Sequence, residues 1–385
     1  MGKDVPTSSS VDLTSEMFGR PLYVLLAALA VVDGRSTAPG LLLDDTVARE
    51  VRLWGAENDR AFQRSACRLV GALTLRGHTF VHELAKLDQN VAGPQSDAFR
   101  DIVATLYTAD PLDAANSNND RPKIGGLEPD LLGEALILRV LCDRETDVEY
   151  LENVFHDGEN EAITHGFTVL SRLSLWAPKT AATSRLPAPY AEVLRRLRNL
   201  INQRPIERAL PALDAALILG ARTSENPLGK WLSEALAAHA SDMVAPFLAK
   251  IITARIPDST VSLRELAVWA TETQLNTLSS EPINEGMLIK RAELNRELGY
   301  WLGILGQSED ALKATKDAVQ GYRQLAAQRP DAFLPDLASS LNNLGRDLNA
   351  LGRREEALTS TEEAVVIYRQ LAAQRPDAFL PDLAS

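Results

Sequence analysis

Sulfur is almost absent from this chain. Two cysteines, Cys67 and Cys142, stand in 385 residues. That excludes a disulfide framework and any CxxC pair, and it fits a reducing cytoplasm. Aromatics are scarce at 5%. Leu and Ala dominate instead, a mix that favours helix over sheet. Basic charge is also short: 40 Lys and Arg face 52 Asp and Glu, for a net charge of −12. Nucleic-acid binders carry a basic balance or a basic face, so nucleic acid is not an expected partner. The densest basic stretch, "EVLRRLRNLINQRPIER", holds Arg195, Arg196, Arg198, Arg204 and Arg208. It reads as a solvated helix face, or else as a docking patch for an acidic partner. Long hydrophobic runs are missing too. Leu22–Val32 spans eleven apolar residues between Arg20 and Asp33, too few to cross a bilayer as a helix. Asp4, Asp12 and Glu16 precede it where a signal peptide would be basic. The run is expected to be a buried core helix, and no membrane partner is expected.

The chemistry-bearing motifs are equally sparse. No G-x4-G-K-[ST] occurs; Gly229-Lys230 is followed by Trp231 and lacks the loop glycine. Without that loop there is no backbone cradle for phosphates. No G-x-S-x-G elbow occurs, and neither cysteine has a protease context. Of the five histidines, His78 and His82 are four apart with Glu83 next, but two ligands do not make a zinc site. Surface or interhelix roles are the plainer reading. Glu362 and Glu363 read as solvated charge on a helix. No catalytic activity, metal or cofactor is expected of this chain.

What is present is repetition. "YRQLAAQRPDAFLPDLAS" runs from Tyr322 to Ser339 and again from Tyr368 to Ser385, identical at all eighteen positions. Shifted by the same 46 residues, Ala292–Gly321 matches Ala338–Ile367 at twelve of thirty positions. The matches include Leu298/Leu344, Gly299/Gly345, Leu302/Leu348, Gly306/Gly352, Ala311/Ala357, Leu312/Leu358 and Val319/Val365. They are mostly apolar or glycine and fall at helical spacing, the signature of stacked helical hairpins. Each unit reads as a helix A over about 336–351 and a helix B over about 355–374. Gly352 is expected to stop helix A in the left-handed region. Pro376 and Pro381 are read as punctuation before the next helix A. Gly345 is expected where helix B comes close, with Ala357 facing it. The near-exact second copy leads to the expectation that the array continues past Ser385.

The pattern Leu344-Gly345-x2-Leu348, then Ala357-Leu358, then Ala364, resembles the tetratricopeptide repeat. The family's usual period is shorter, and here helix B and the loop after it are expected to be longer. "LNNLG" at Leu341–Gly345 is similar to the long repeats of kinesin light chain and its bacterial relatives. The resemblance implies a groove lined by the A helices that binds a protein or peptide ligand. Its groove positions fall on Ser339, Asn342, Arg346, Asn349 and Ala350, and upstream on Glu293, Arg296, Tyr300, Gly303 and Ile304. Arg296, Tyr300, Ser339, Asn342, Arg346 and Asn349 are the candidate ligand residues. The Lys and Asn clamp of the co-chaperone subclass is not matched, since Asn342 and Arg346 occupy those places. Asn342 and Asn343 otherwise read as capping or solvating residues.

Upstream, apolar periodicity predicts helices over 21–32, 44–54, 58–75, 78–88, 95–107, 129–142, 147–155, 159–175, 188–203, 207–220, 228–238, 241–255 and 262–277. The one long loop, 109–126, is an interdomain linker or a wing. "FGRPLYVLLAALAVVDG" (18–34), "VAREVRLW" (47–54), "CRLVGALTLRG" (67–77) and "LEPDLLGEALI" (127–137) resemble the segment that follows the nucleotide-binding module in bacterial, actinobacterial-type STAND NTPases. Tetratricopeptide arrays come next in those proteins. The resemblance implies a signal-responsive switch in defence or transcriptional regulation. Phe155-His156-Asp157 is similar to the motif with which STAND winged helices touch ADP, although it comes late in the order. ATP or ADP would enter only through a nucleotide module upstream.

The expectation is therefore an all-α protein: a disordered tail (1–19), a helical domain (20–205) that is winged-helix-like if 109–126 forms a wing, a helical connector (206–283), and an α-solenoid of tetratricopeptide hairpins (284–385). Its function is expected to be that of a non-catalytic sensor and interaction region, cytoplasmic, with a protein or peptide partner and self-association as a further option. Two rivals stand beside it: a free-standing adaptor, and the sensor arm of an enzyme whose catalytic domain lies outside the chain.

Overall fold

The computed structural model describes residues 39–54, 59–92, 97–107, 123–125, 130–175, 188–220, 226–239, 242–278, 284–375 and 377. The polar tail 1–19, the core helix expected over Leu22–Val32 and the 18–34 segment lie outside these residues. Those described form sixteen α-helices and a single two-stranded ribbon. The chain divides into two compact units, residues 1–200 and 201–385.

In the first unit, helix α1 (Pro39–Leu53) precedes α2 (Arg60–Arg76). Asp59 caps α2, its carboxylate accepting from the backbone N–H of Ala61 and Phe62 at 2.9 and 3.1 Å. Such a cap contributes about 1 kcal/mol. Ala66, Leu69, Val70 and Leu73, spaced at helical intervals, are wholly buried. They make α2 the centre of the unit, packed against α5 (Asp130–Cys142) and α7 (Asn160–Leu175). The Tyr150 hydroxyl, on α6 (Tyr150–Phe155), donates to the Arg68 carbonyl at 2.7 Å.

Residues 78–88 do not form the single predicted helix. Gly77 turns the chain at φ +76°, and His78–Phe80 becomes strand β1. A short 3₁₀ turn and α3 (Leu84–Val91) follow. Within β1 the buried Thr79 lies between the half-buried His78 and Phe80. After α4 (Asp97–Leu106), strand β2 (Lys123–Gly125) pairs antiparallel with β1, Thr79 opposite Ile124. The predicted loop at 109–126 thus supplies a strand at its end; the remainder lies outside the described residues. Helix α8 (Ala188–Gln203) matches its predicted span.

The basic stretch is not one solvated face. Arg196 is 7% exposed and donates to the Thr146 and Asp147 carbonyls and to Glu192. Arg195 also pairs with Glu192, Arg204 with Glu207, and Arg208 is buried. Burying a guanidinium is tolerable only with such partners, and the sequence alone did not reveal them.

In the second unit, α9 (Pro205–Ile218), α10 (Leu228–Ala237), α11 (Ala245–Arg255) and α12 (Arg264–Leu278) lead into four long helices. These are α13 (Glu285–Ile304), α14 (Ser308–Gln328), α15 (Pro330–Ala350) and α16 (Arg354–Gln374). From α11 onward each helix packs against the next in sequence. Gly229 lies within α10 against the Ser262 carbonyl, a packing role remote from phosphate binding.

Helix A is longer than predicted. It begins at Pro330, so α14, α15 and α16 are each 21 residues long, and one residue, Arg329, joins α14 to α15. After α14 the long loop expected behind helix B is absent, while the segment behind α16 lies largely outside the described residues. Pro330 sits at the first helical position, where no N–H is needed. Pro335 lies inside the helix and forgoes one backbone bond. Burial of Phe333 and Leu337 offsets that loss; each buried side chain contributes about 2 kcal/mol. Gly306 and Gly352 end the A helices at φ +76° and +75°. The Gln307 and Arg353 N–H groups reach back to the Leu302 and Leu348 carbonyls at 3.0 and 2.9 Å, which completes a Schellman closure in both units.

Candidate functional site on the A helices

Two glycines set how closely the helices of each hairpin meet. A Cβ on Gly299 would run into the Thr315 hydroxyl and crowd the Ala311 carbonyl at 3.3 Å. A Cβ on Gly345 would meet the Thr361 hydroxyl and the Ala357 carbonyl at 3.3 Å. The close approach expected at Gly345 is real, but it is made by the Thr361 hydroxyl and the Ala357 backbone and not by the Ala357 side chain. Each A helix is thereby fixed against its B helix, with the opposite face left for contacts to others.

The candidate residues fall into two stripes. Arg296 and Tyr300 are one turn apart on α13. Ser339, Asn342, Arg346 and Asn349 follow one another at helical steps along α15. Asn342, Arg346 and Asn349 are exposed and Ser339 is half-buried. Asn342 and Asn343 lie in mid-helix, so neither caps an end. One contact joins the stripes: the Arg346 guanidinium lies 5.9 Å from the centroid of the Tyr300 ring. That is within cation–π range, and both side chains remain open, Tyr300 at 37% and the Arg346 side chain at 48%.

Arg296 is used differently. It sits 3.7 Å from the Asp336 carboxylate and 5.9 Å from the Tyr322 ring centroid, so its charge is answered within the protein. Burial pushes the Tyr322 hydroxyl up to about 12. Arg346 has an answering carboxylate of its own, donating to Asp347 of the same helix at 3.5 Å. That carboxylate is 3% exposed and accepts a hydrogen bond from the Thr315 hydroxyl at 2.7 Å. Burial raises the Asp347 pKa; the Thr315 bond and then Arg346 pull the other way. Sequence reading missed Asp336, Tyr322, Thr315 and Asp347. Thr315 was open to detection, since Thr315/Thr361 is among the positions that match at the 46-residue shift.

The other candidates come apart. His156 and Asp157 follow α6 in a turn, where Asp157 pairs with Lys86 at 2.9 Å. Among the described residues no cluster of His, Cys, Asp or Glu is disposed to hold a metal. Cys67 is buried, its thiol pushed up to about 11 by desolvation, and Cys142 is exposed. Glu363 is not merely solvated, for it takes Arg323 of α14 at 2.6 Å. No described helix is long and apolar enough to cross a membrane. What the A-helix face offers chemically is a half-exposed guanidinium steadied on an aromatic ring, with amides above and below it along α15.

Residues 337–374, from within α15 to the end of α16, match the family model of the tetratricopeptide repeat. No curated protein and no solved structure matches the chain. It is thus a helical protein containing a tetratricopeptide repeat, and such repeats support a role in protein–protein interaction.

Proposed function

We propose that this chain is a non-catalytic interaction module whose A-helix face holds an acidic segment of a protein or peptide. The observation that carries the reading is Arg346, set over the Tyr300 ring with nearly half of its side chain open to solvent beside the buried Asp347. A guanidinium so placed favours a planar carboxylate, which it can bind in bidentate fashion. Asn342 and Asn349 would supply amide donors and acceptors on either side, and Ser339 a hydroxyl.

The test is direct. Fluorescently labelled short peptides that differ only in the number and spacing of Asp and Glu are titrated into the chain and into Arg346→Glu. The expected result is saturable binding by the acidic members, with affinity lost about tenfold or more on charge reversal. Equal binding of acidic and neutral peptides, or an Arg346→Glu variant that binds as the parent does, refutes it.

The setting proposed for this module is the sensor portion of a cytoplasmic STAND-type switch. The four phrases between residues 18 and 137 support it, as does their order ahead of the repeats. Ligand on the A helices would bias an attached nucleotide module only through a difference in affinity between its two states. The absence of a G-x4-G-K-[ST] loop from the chain favours a second reading, a free-standing adaptor. An immunoblot of the native protein in its own cell separates the two. A band well above the calculated mass directs attention to the flanking sequence for a P-loop, or for the catalytic motif of an enzyme. A band at that mass ends the switch in its single-chain form.

A further inference from the structure

Helix α11 and the turn that leads into it direct apolar side chains to solvent. Met243 and Val244, in the turn, are 97% and 52% exposed, and Phe247, in the first turn of the helix, is 68% exposed. Ile251 follows one turn later and is half-buried. Met243, Phe247 and Ile251 stand four residues apart, so they lie in one stripe along the helix. Neither α13 nor α15 exposes a Met, Val, Ile, Leu or Phe. A single exposed apolar residue is ordinary, but a contiguous group with an aromatic at its centre marks a contact surface.

Two charges frame the stripe. Asp242 stands at its N-terminal end and Lys250 beside its C-terminal half. Both are exposed, and neither has an ion pair among the described residues. The stripe is its own complement when turned end over end about Phe247. At the rise of an α-helix, Asp242 lies about 7.5 Å to one side of that centre and Lys250 about 4.5 Å to the other. In two antiparallel copies the flexible lysine of each therefore reaches the aspartate of the other, Met243 faces Ile251, and Phe247 faces Phe247. That reciprocity is what an isologous contact requires. With one charge of each sign, the stripe also takes no share of the net charge of −12 that makes two copies repel.

We infer that this face docks onto a second copy of the chain, antiparallel and two-fold symmetric, with α11 packed on α11 and Phe247 at the axis. The surface is on a different helix from Arg346, and its test does not depend on the ligand proposed for that site.

The test is the mass of the full chain in solution, followed by sedimentation equilibrium over a wide range of concentration. A reversible dimer is expected, and Phe247→Asp should weaken it about tenfold or more. The side chain is open to solvent, so the melt of this variant should match that of the parent diluted to monomer. Asp242→Lys alone and Lys250→Glu alone each set like charges against one another twice, and each should be a monomer. Their equimolar mixture restores both attractions and should be a dimer. A chain that stays monomeric, a dimer indifferent to Phe247→Asp, or a mixture that fails to recover the dimer overturns the proposal. So does slow oxidation of Met243 by dilute peroxide in monomeric protein, read by peptide mass spectrometry, since another segment of the same chain would then cover the stripe.

Discussion

Two carboxylates show how single residues tie stability to pH in opposite senses. Glu192 is held down to about 2, first by its bond from Arg195 and then by Arg196. A depressed carboxylate stabilises the fold above its unfolded pKa of about 4.3 and loses that contribution as pH falls through the folded value. Glu192→Gln should therefore destabilise at neutral pH, and the gap to the parent should close between about pH 4.3 and pH 2 in urea melts. Asp347 runs the other way. Burial raises its pKa, so the folded carboxyl keeps its proton where the unfolded one, near 3.9, has released it. Its contribution is whole below that pH and is lost as pH rises through the folded value. Asp347→Asn should gain on the parent as pH rises above the unfolded value of about 3.9 and through the folded one. Thr315→Val, which keeps the shape but removes the donor, should cost about 1–3 kcal/mol at neutral pH by leaving a buried carboxylate short of a partner.

At the scale of elements, the hairpins depend on glycine where helix propensity alone would choose alanine. Gly345→Ala should gain about 1 kcal/mol of propensity and lose more, about 1–3 kcal/mol, by driving a methyl into the Thr361 hydroxyl. Adding Thr361→Ala should restore most of the loss, which chemical denaturation of the two variants will read. These glycines were legible in the sequence because repetition marked them twice, and so were the stops at Gly306 and Gly352. Helix α8 was legible from its period alone. The start of helix A was not. Pro335 looks like a helix boundary, and only the burial of Phe333 and Leu337 against α14 shows why the helix tolerates it. Strand β1 was hidden for a similar reason, since three residues are too short a window to separate period two from period 3.6. At the candidate site, the stripe along α15 came from the resemblance to the tetratricopeptide repeat. The answering of Arg296 by Asp336 was not, because that pairing joins helices 40 residues apart in sequence.

For the molecule as a whole, a solenoid is held together by contacts between neighbours, so its stability should grow unit by unit. Inserting a second copy of residues 330–375 after Arg375 reproduces a junction already present, Arg329-Pro330. The longer chain is expected to show added helical signal worth two 21-residue helices and a higher urea midpoint for the repeat unit. A midpoint unchanged or lowered would mean that the seams do not propagate. The same sameness has a kinetic side. Phe333 and Leu337 seat α15 on α14, and the tract that contains them exists twice in one chain. During folding, residues 376–385 compete with 330–339 for that seat with identical side chains, but from 46 residues farther along the chain, a loop whose closure costs about 3 kcal/mol more. The choice is thus biased toward the proximal tract, and the distal one takes the seat only in a minor fraction of molecules. Refolding should carry a slow phase of small amplitude, and a substitution confined to the distal copy, Phe379→Ala, should remove it by weakening the rival.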